Sequence, residues 1–139
     1  PKPSSAASDV YKRQVQLLVL ATEKWNEMLS AAVQDAPPEP EARICAYVDA
    51  MLDLFIHGSH GPLMTAAHQF PDAFANEEVQ AAHAGFEDIV ERFCPGVSPT
   101  DIALINAAVI RASEMADQPE ALKHATTTLH AMAKAVATL

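Results

Sequence analysis

The sequence predicts an all-α fold, a bundle of about six helices, on three observations. Alanine, the strongest helix former, supplies 27 of the 139 residues. Apolar residues recur at three- and four-residue spacing along nearly the whole chain, and no stretch alternates with the period of two that a half-buried strand requires. Proline and glycine mark short turns between those periodic stretches.

The first helix is expected over residues 15–34, where Leu18, Trp25, Met28, Leu29 and Val33 keep helical spacing and Asp35-Ala36-Pro37-Pro38 supplies the stop. Lys12-Arg13 followed by Val15-Gln16-Leu17-Leu18-Val19-Leu20-Ala21 has the outline of a signal peptide. The apolar run is too short for one, however, and Gln16 interrupts it. A second helix is expected over 40–56. There Ile44, Tyr47, Val48, Met51, Leu52 and Phe55 form a wide apolar stripe of the kind that packs into a core, and His57-Gly58-Ser59-His60-Gly61-Pro62 ends it. A short helix over 63–69 follows, then a loop, Phe70-Pro71-Asp72-Ala73-Phe74.

Asn76 reads as an N-cap, with Glu77 and Glu78 placed at the positive end of the helix it opens. That helix carries Val79, His83, Phe86, Val90 and Phe93 on one face and stops at Cys94-Pro95-Gly96. Ser98-Pro99-Thr100-Asp101 announces the next helix, with a capping hydroxyl and a proline suited to the first turn. Asp117-Gln118-Pro119-Glu120 opens the last, which is expected to run to residue 139.

The two terminal helices carry heptad seams. Ile102, Ile105, Val109, Ala112 and Ala116 are spaced 3, 4, 3, 4, and Leu122, Ala125, Leu129, Met132, Val136 and Leu139 are spaced 3, 4, 3, 4, 3. Narrow seams made partly of alanine permit close helix approach. Pairing of the two helices with their copies in a four-helix dimer interface is therefore expected at Ile102, Ile105, Val109, Ala112, Ala116, Leu122, Ala125, Leu129, Met132 and Val136. The alternative is a hairpin within one chain whose seams face each other.

The net charge is −9, with 9 basic against 18 acidic residues, and the basic groups are scattered. Such a surface does not suit phosphate binding. No apolar run approaches the roughly 20 residues of a membrane span. Two cysteines are too few for a disulfide scaffold, which points to a reducing, cytoplasmic compartment and a core made by packing alone. Residues 4–14, Ser-Ser-Ala-Ala-Ser-Asp-Val-Tyr-Lys-Arg-Gln, resemble a translated sequencing adapter. Residues 1–14 are accordingly set aside as adapter-like or disordered and non-native, which leaves 15–139 as one helical domain with a net charge of −11.

The order and length of these elements carry a resemblance. The chain has a long helix with Trp25 near its middle, the Asp35-Ala36-Pro37-Pro38 break, the helix beginning Arg43-Ile44-Cys45-Ala46-Tyr47, a His/Gly/Pro turn, an amphipathic mid-chain helix and two seam helices. This arrangement is similar to the C-terminal ligand-binding and dimerisation domain of TetR/AcrR-family transcriptional regulators, across residues 15–139. The resemblance implies a preceding helix-turn-helix head of roughly three helices, absent from this chain, which grips operator DNA as a dimer. It also implies a small hydrophobic effector that binds among the helices and weakens that grip. A fragment cut at the head would account for the missing initiator Met and the missing basic surface together.

The pocket candidates are Trp25, Met28, Met51, Phe55, His68, Phe70, Phe74, His83 and Phe86, with Asn106, Ile110 and Ser113 from the helix after Ser98. Large apolar and aromatic groups from several helices with a few polar ones are what such a site needs, and the methionines make it adaptable. His57, His60 and His68 cluster near one turn. No Cys or carboxylate lies at ligand spacing apart from the distant Asp72, so solvated or helix-capping histidines are the reading and no metal is assigned. His83, with Glu87 one turn on, suits a buried imidazole oriented by a carboxylate, and His124 and His130 receive no function. Cys94-Pro95 has the form of a haem-regulatory dipeptide, but a helix ending in a buried thiol produces the same pair. No nucleophile-base set or phosphate loop is present, so neither catalysis nor a cofactor is expected. The competing readings are a helical metal or haem protein and a helical protein-interaction module.

Overall fold

The computed structural model describes residues 3–58 and 68–139, and within them lie six helices and no strand. In chain order these are α1 (Pro3–Asp35), α2 (Pro40–His57), α3 (Pro71–Phe74), α4 (Glu77–Phe93), α5 (Pro99–Ser113) and α6 (Pro119–Ala137). The all-α bundle read from the sequence is the fold. Residues 63–67 of the helix expected over 63–69, and His60 before them, lie outside the described residues, while 68 and 69 are helical.

α1 buries Val15, Leu18, Thr22, Trp25, Leu29 and Val33 on one stripe. The one polar member, Thr22, donates its hydroxyl to the Leu18 carbonyl at 2.8 Å and so costs little to bury. Met28, expected on this face, is 49% exposed because the stripe passes through its neighbour Leu29. The helix also starts at Pro3 instead of near residue 15, so residues 3–14 of the stretch set aside as adapter-like or disordered are helical. No glycine or proline breaks it between residues 4 and 35, and a helix nucleated on its packed half extends at little cost.

α2 opens with Pro40 in its first turn and closes where the Gly58 N–H donates to the Leu54 carbonyl at 3.1 Å. It buries Ile44, Tyr47, Val48, Met51, Leu52 and Leu54. With so wide an apolar surface it must be covered from more than one side. α1, α4, α5 and α6 all pack on it. α1 and α4 also pack on each other, with α3 against both, and α5 pairs with α6. The bundle is thus an α1/α3/α4 group and an α5/α6 hairpin, with α2 between them.

The short α3 replaces the loop expected at 70–74. Pro71 sits in the first turn, the Phe74 N–H reaches the Phe70 carbonyl at 3.1 Å, and Ala73 is buried, which anchors the turn to the core. The two caps read from the sequence form: Asn76 Oδ1 accepts from the Glu78 N–H at 2.8 Å, and Ser98 Oγ from the Thr100 N–H at 3.2 Å. Past α4, Gly96 takes a φ of +92°, a left-handed conformation that glycine adopts without a Cβ penalty.

The heptad seams pack in large part within the chain. Ile102, Ile105, Val109, Ala112 and Leu129 are buried, and Leu122, Ala125, Met132 and Val136 pack half-buried against the same core. Ala116 is exposed. Ile102, Ile105, Val109, Ala112 and Leu129 are thus spent on the chain's own core, while the half-buried seam residues and Ala116 keep part of their surface open. Heptad spacing marks a stripe that needs cover, and here α2 and the facing seam provide it.

Leu29→Ala is expected to lower the unfolding free energy in urea by about 2–5 kcal/mol, while Met28→Ala next to it changes stability by less than about 0.5 kcal/mol. Equal effects at the two positions would contradict this placement of α1.

Candidate functional site

Five of the expected pocket residues meet in one aromatic cluster built by four helices: Trp25 of α1, Phe55 of α2, Phe74 of α3, and His83 and Phe86 of α4. The Trp25 ring meets Phe86 edge-on at 5.1 Å between centroids and Phe55 at 5.8 Å. The His83 imidazole lies between Phe86, at 5.1 Å, and Phe74, at 5.5 Å, again near edge-on. Such edge-to-face contacts set each ring's positive rim against its neighbour's π-face. His83 Nδ1 is buried and makes no hydrogen bond among the described residues. Burial also holds the imidazole below its ordinary pKa of 6.5, because desolvation penalises the charged ring. The cluster is possible because α4 approaches α1 closely at Gly85, where a Cβ would stand 2.7 Å from Asn26 Nδ2. That same Nδ2 donates to the Ala82 carbonyl at 2.9 Å and ties the two helices.

The other expected pocket residues do not join this cluster. Met51 is buried in the core, and Met28 lines a shallow groove between α1 and α2. His68 and Phe70 are exposed, and so is Ile110 on the outer side of α5. The Ser113 hydroxyl returns to the Ile110 carbonyl at 2.6 Å, so it is spent on its own helix.

Asn106 belongs to a second place, a cavity of about 320 Å³ where α4 ends and α5 begins. Its walls are Val90, Val97, Pro99, Ile102 and Ala103, with Glu91 and Gly96 beside them. Asn106 Oδ1 accepts the Tyr47 hydroxyl at 2.7 Å, a bond joining α2 to α5. Burial pushes the Tyr47 phenol up to about 12, so it stays a neutral donor at any physiological pH. In the sequence Tyr47 stands only as part of an apolar stripe, and nothing local to α2 marks it as the partner of Asn106, 59 residues away.

Arg43 of α2 caps the end of α4: Nη1 donates to the Phe93 carbonyl at 3.1 Å, and the guanidinium lies over the Phe93 ring at 5.5 Å. A cation at the negative end of the helix dipole stabilises that terminus. Cys94 is buried beside it, and burial raises its thiol pKa, which keeps it protonated. Among the remaining histidines, His130 Nε2 meets Asp49 Oδ1 at 2.6 Å and links α6 to α2, while His57, His68 and His124 are exposed. Among the described residues no group of three or more His, Cys, Asp or Glu side chains is placed to hold a metal ion. No described helix is long and apolar enough to cross a membrane.

The lowered His83 pKa fixes the sign of a pH effect. Above 6.5 the ring is neutral both folded and unfolded and contributes no pH dependence; below it the unfolded chain takes up the proton first, so stability falls as pH drops through the folded value. Urea midpoints measured between pH 7.5 and 5 are expected to decline less in His83→Phe than in the wild type. An identical decline in both would place the titration elsewhere.

Comparison of the chain with protein-family models, with curated proteins and with solved structures finds no match.

Proposed function

We propose that this chain is the sensing and dimerisation part of a TetR-like transcriptional regulator, with a small hydrophobic molecule as its effector. The observation that carries the proposal is the aromatic cluster. Rings from four helices converge there around an imidazole nitrogen that is buried without a hydrogen-bond partner among the described residues. An apolar ligand bearing one hydrogen-bonding group would satisfy that nitrogen while staying in contact with the rings. Because α1, α2, α3 and α4 all contribute, a ligand that parts the rings changes how α1 sits on its neighbours. In a regulator of this kind that displacement is what a DNA-binding head would read. DNA contact itself is assigned to such a separate basic head, since this chain is strongly acidic.

Self-association is the second half of the proposal. With much of the seams packed within the chain, we assign the second copy to the outward side of α5 and α6, where Leu104 is 60% exposed and Ile110 44%, alongside exposed Ala107, Ala131 and Ala135. Small residues between large apolar ones allow close packing of helices from two copies. The helical interaction module would use the same face for an unrelated protein, and the oligomeric state separates the two readings. The metal-protein reading has no ligand set among the described residues.

Trp25 is the sole tryptophan and lies inside the cluster, so its fluorescence reports directly on occupancy. Titration with dodecyltrimethylammonium and with benzyl alcohol is expected to give a saturable change with at least one of them, and a flat response to both would sink the effector reading. Light scattering at tens of micromolar is expected to give twice the chain mass, with Leu104→Arg reverting to the chain mass; a wild-type monomer would contradict the homodimer.

A further inference from the structure

The cavity between the end of α4 and the start of α5 has no part in the aromatic cluster. We infer that it is a separate binding site for a small aryl-alkyl amine carrying one hydrogen-bond acceptor, such as a hydroxyl or carbonyl. The inference rests on this cavity alone and stands whether or not the chain is a regulator.

The volume, about 320 Å³, is at the lower end of the range that ligand sites occupy and suits a molecule of one ring and a short chain. Val90, Val97, Ile102 and Ala103 give it apolar walls, which select an aryl or alkyl body. Two polar side chains line it, and they differ in kind. Asn106 has its Oδ1 committed to the Tyr47 hydroxyl, which fixes the amide plane and leaves the Nδ2 hydrogens with no acceptor among the described residues. With the donor fixed in advance, a ligand acceptor loses little in ordering it. Glu91 is exposed and is the one charged residue among those that line the cavity. An exposed carboxylate on a chain of net charge −9 attracts a cation and repels an anion, and no basic side chain lines the cavity to reverse that preference.

The gap is not a packing error that the core closes elsewhere. Val90 and Ile102 are both buried, each on its own helix, and the turn between the helices passes through Gly96 at φ +92°. Arg43 holds the end of α4 to α2, and the Tyr47–Asn106 bond holds α5 to α2. The two walls are therefore each fixed to a common helix.

Isothermal titration of the full chain with four matched compounds tests the site. Tyramine carries both the ammonium and the hydroxyl, 2-phenylethylamine lacks the hydroxyl, 4-ethylphenol lacks the charge, and 3-(4-hydroxyphenyl)propionate reverses it. Tyramine is expected to bind one to one and most tightly. Loss of the hydroxyl should weaken binding roughly fivefold, loss of the charge about threefold, and the propionate should bind weakest. Ala103→Phe places a ring in the cavity from an exposed position and should remove tyramine binding while leaving thermal unfolding in place. Glu91→Lys, also exposed, should invert the order so that the propionate binds more tightly than tyramine, which keeps the test decisive if Ala103→Phe does not fold. No heat with tyramine at millimolar concentration, or an order among the four compounds that Glu91→Lys leaves unchanged, overturns the inference.

Discussion

The structure depends on the burial of the broad apolar surface of α2. Ile44, Val48 and Tyr47 are almost completely buried, and Met51, Leu52 and Leu54 nearly so, on a helix of 18 residues. A helix with so broad an apolar surface has no stable place at a periphery. Once it sits in the centre, α1 and α4 cover one side and the α5/α6 hairpin the other, and those two groups meet mainly through it.

Polar ties follow from the same placement. Tyr47 brings a hydroxyl into the interior, where an unmade hydrogen bond costs about 1–3 kcal/mol, and Asn106 supplies the acceptor. Arg43, one turn earlier, meets the carbonyl at the end of α4, and Asp49 meets His130 of α6. α2 is thus hydrogen-bonded through side chains to α4, α5 and α6, and these bonds fix where each stops relative to the others. The cavity beside Asn106 and the aromatic cluster both draw on α4, the cluster through His83 and Phe86 and the cavity through Val90 and Glu91 nearer its end.

How much was legible beforehand varied with the range of the interaction. The caps at Asn76 and Ser98 were readable because their bonds span two residues. The convergence of Trp25, Phe55, Phe74, His83 and Phe86 was foreseen only as a set of suitable residue types, and the ring contacts needed four helices to be placed. Met28, Met51, Ile110 and Ser113 were of equally suitable type, yet their helical phase or a local hydrogen bond took them elsewhere. Of the cavity's walls, Val90 reads only as part of an apolar face and Pro99 only as a helix start, since apolar residues near a turn look alike whether they pack or line a void.

By itself the sequence determined the helical class, nearly every helix boundary past residue 35, and the stripes that had to be buried, because these rest on propensity, capping and period, all local properties. Only the tertiary structure decided what covers each stripe. Heptad spacing in the last two helices marks stripes that need cover, and only the tertiary structure places α2 and the facing helix on them, because the apolar surface of α2 needs the same contact. The pairing of Tyr47 with Asn106 was settled in the same way: a buried hydroxyl requires an acceptor, but which residue stands within 2.7 Å depends on how α5 crosses α2, and no stretch of either helix records that.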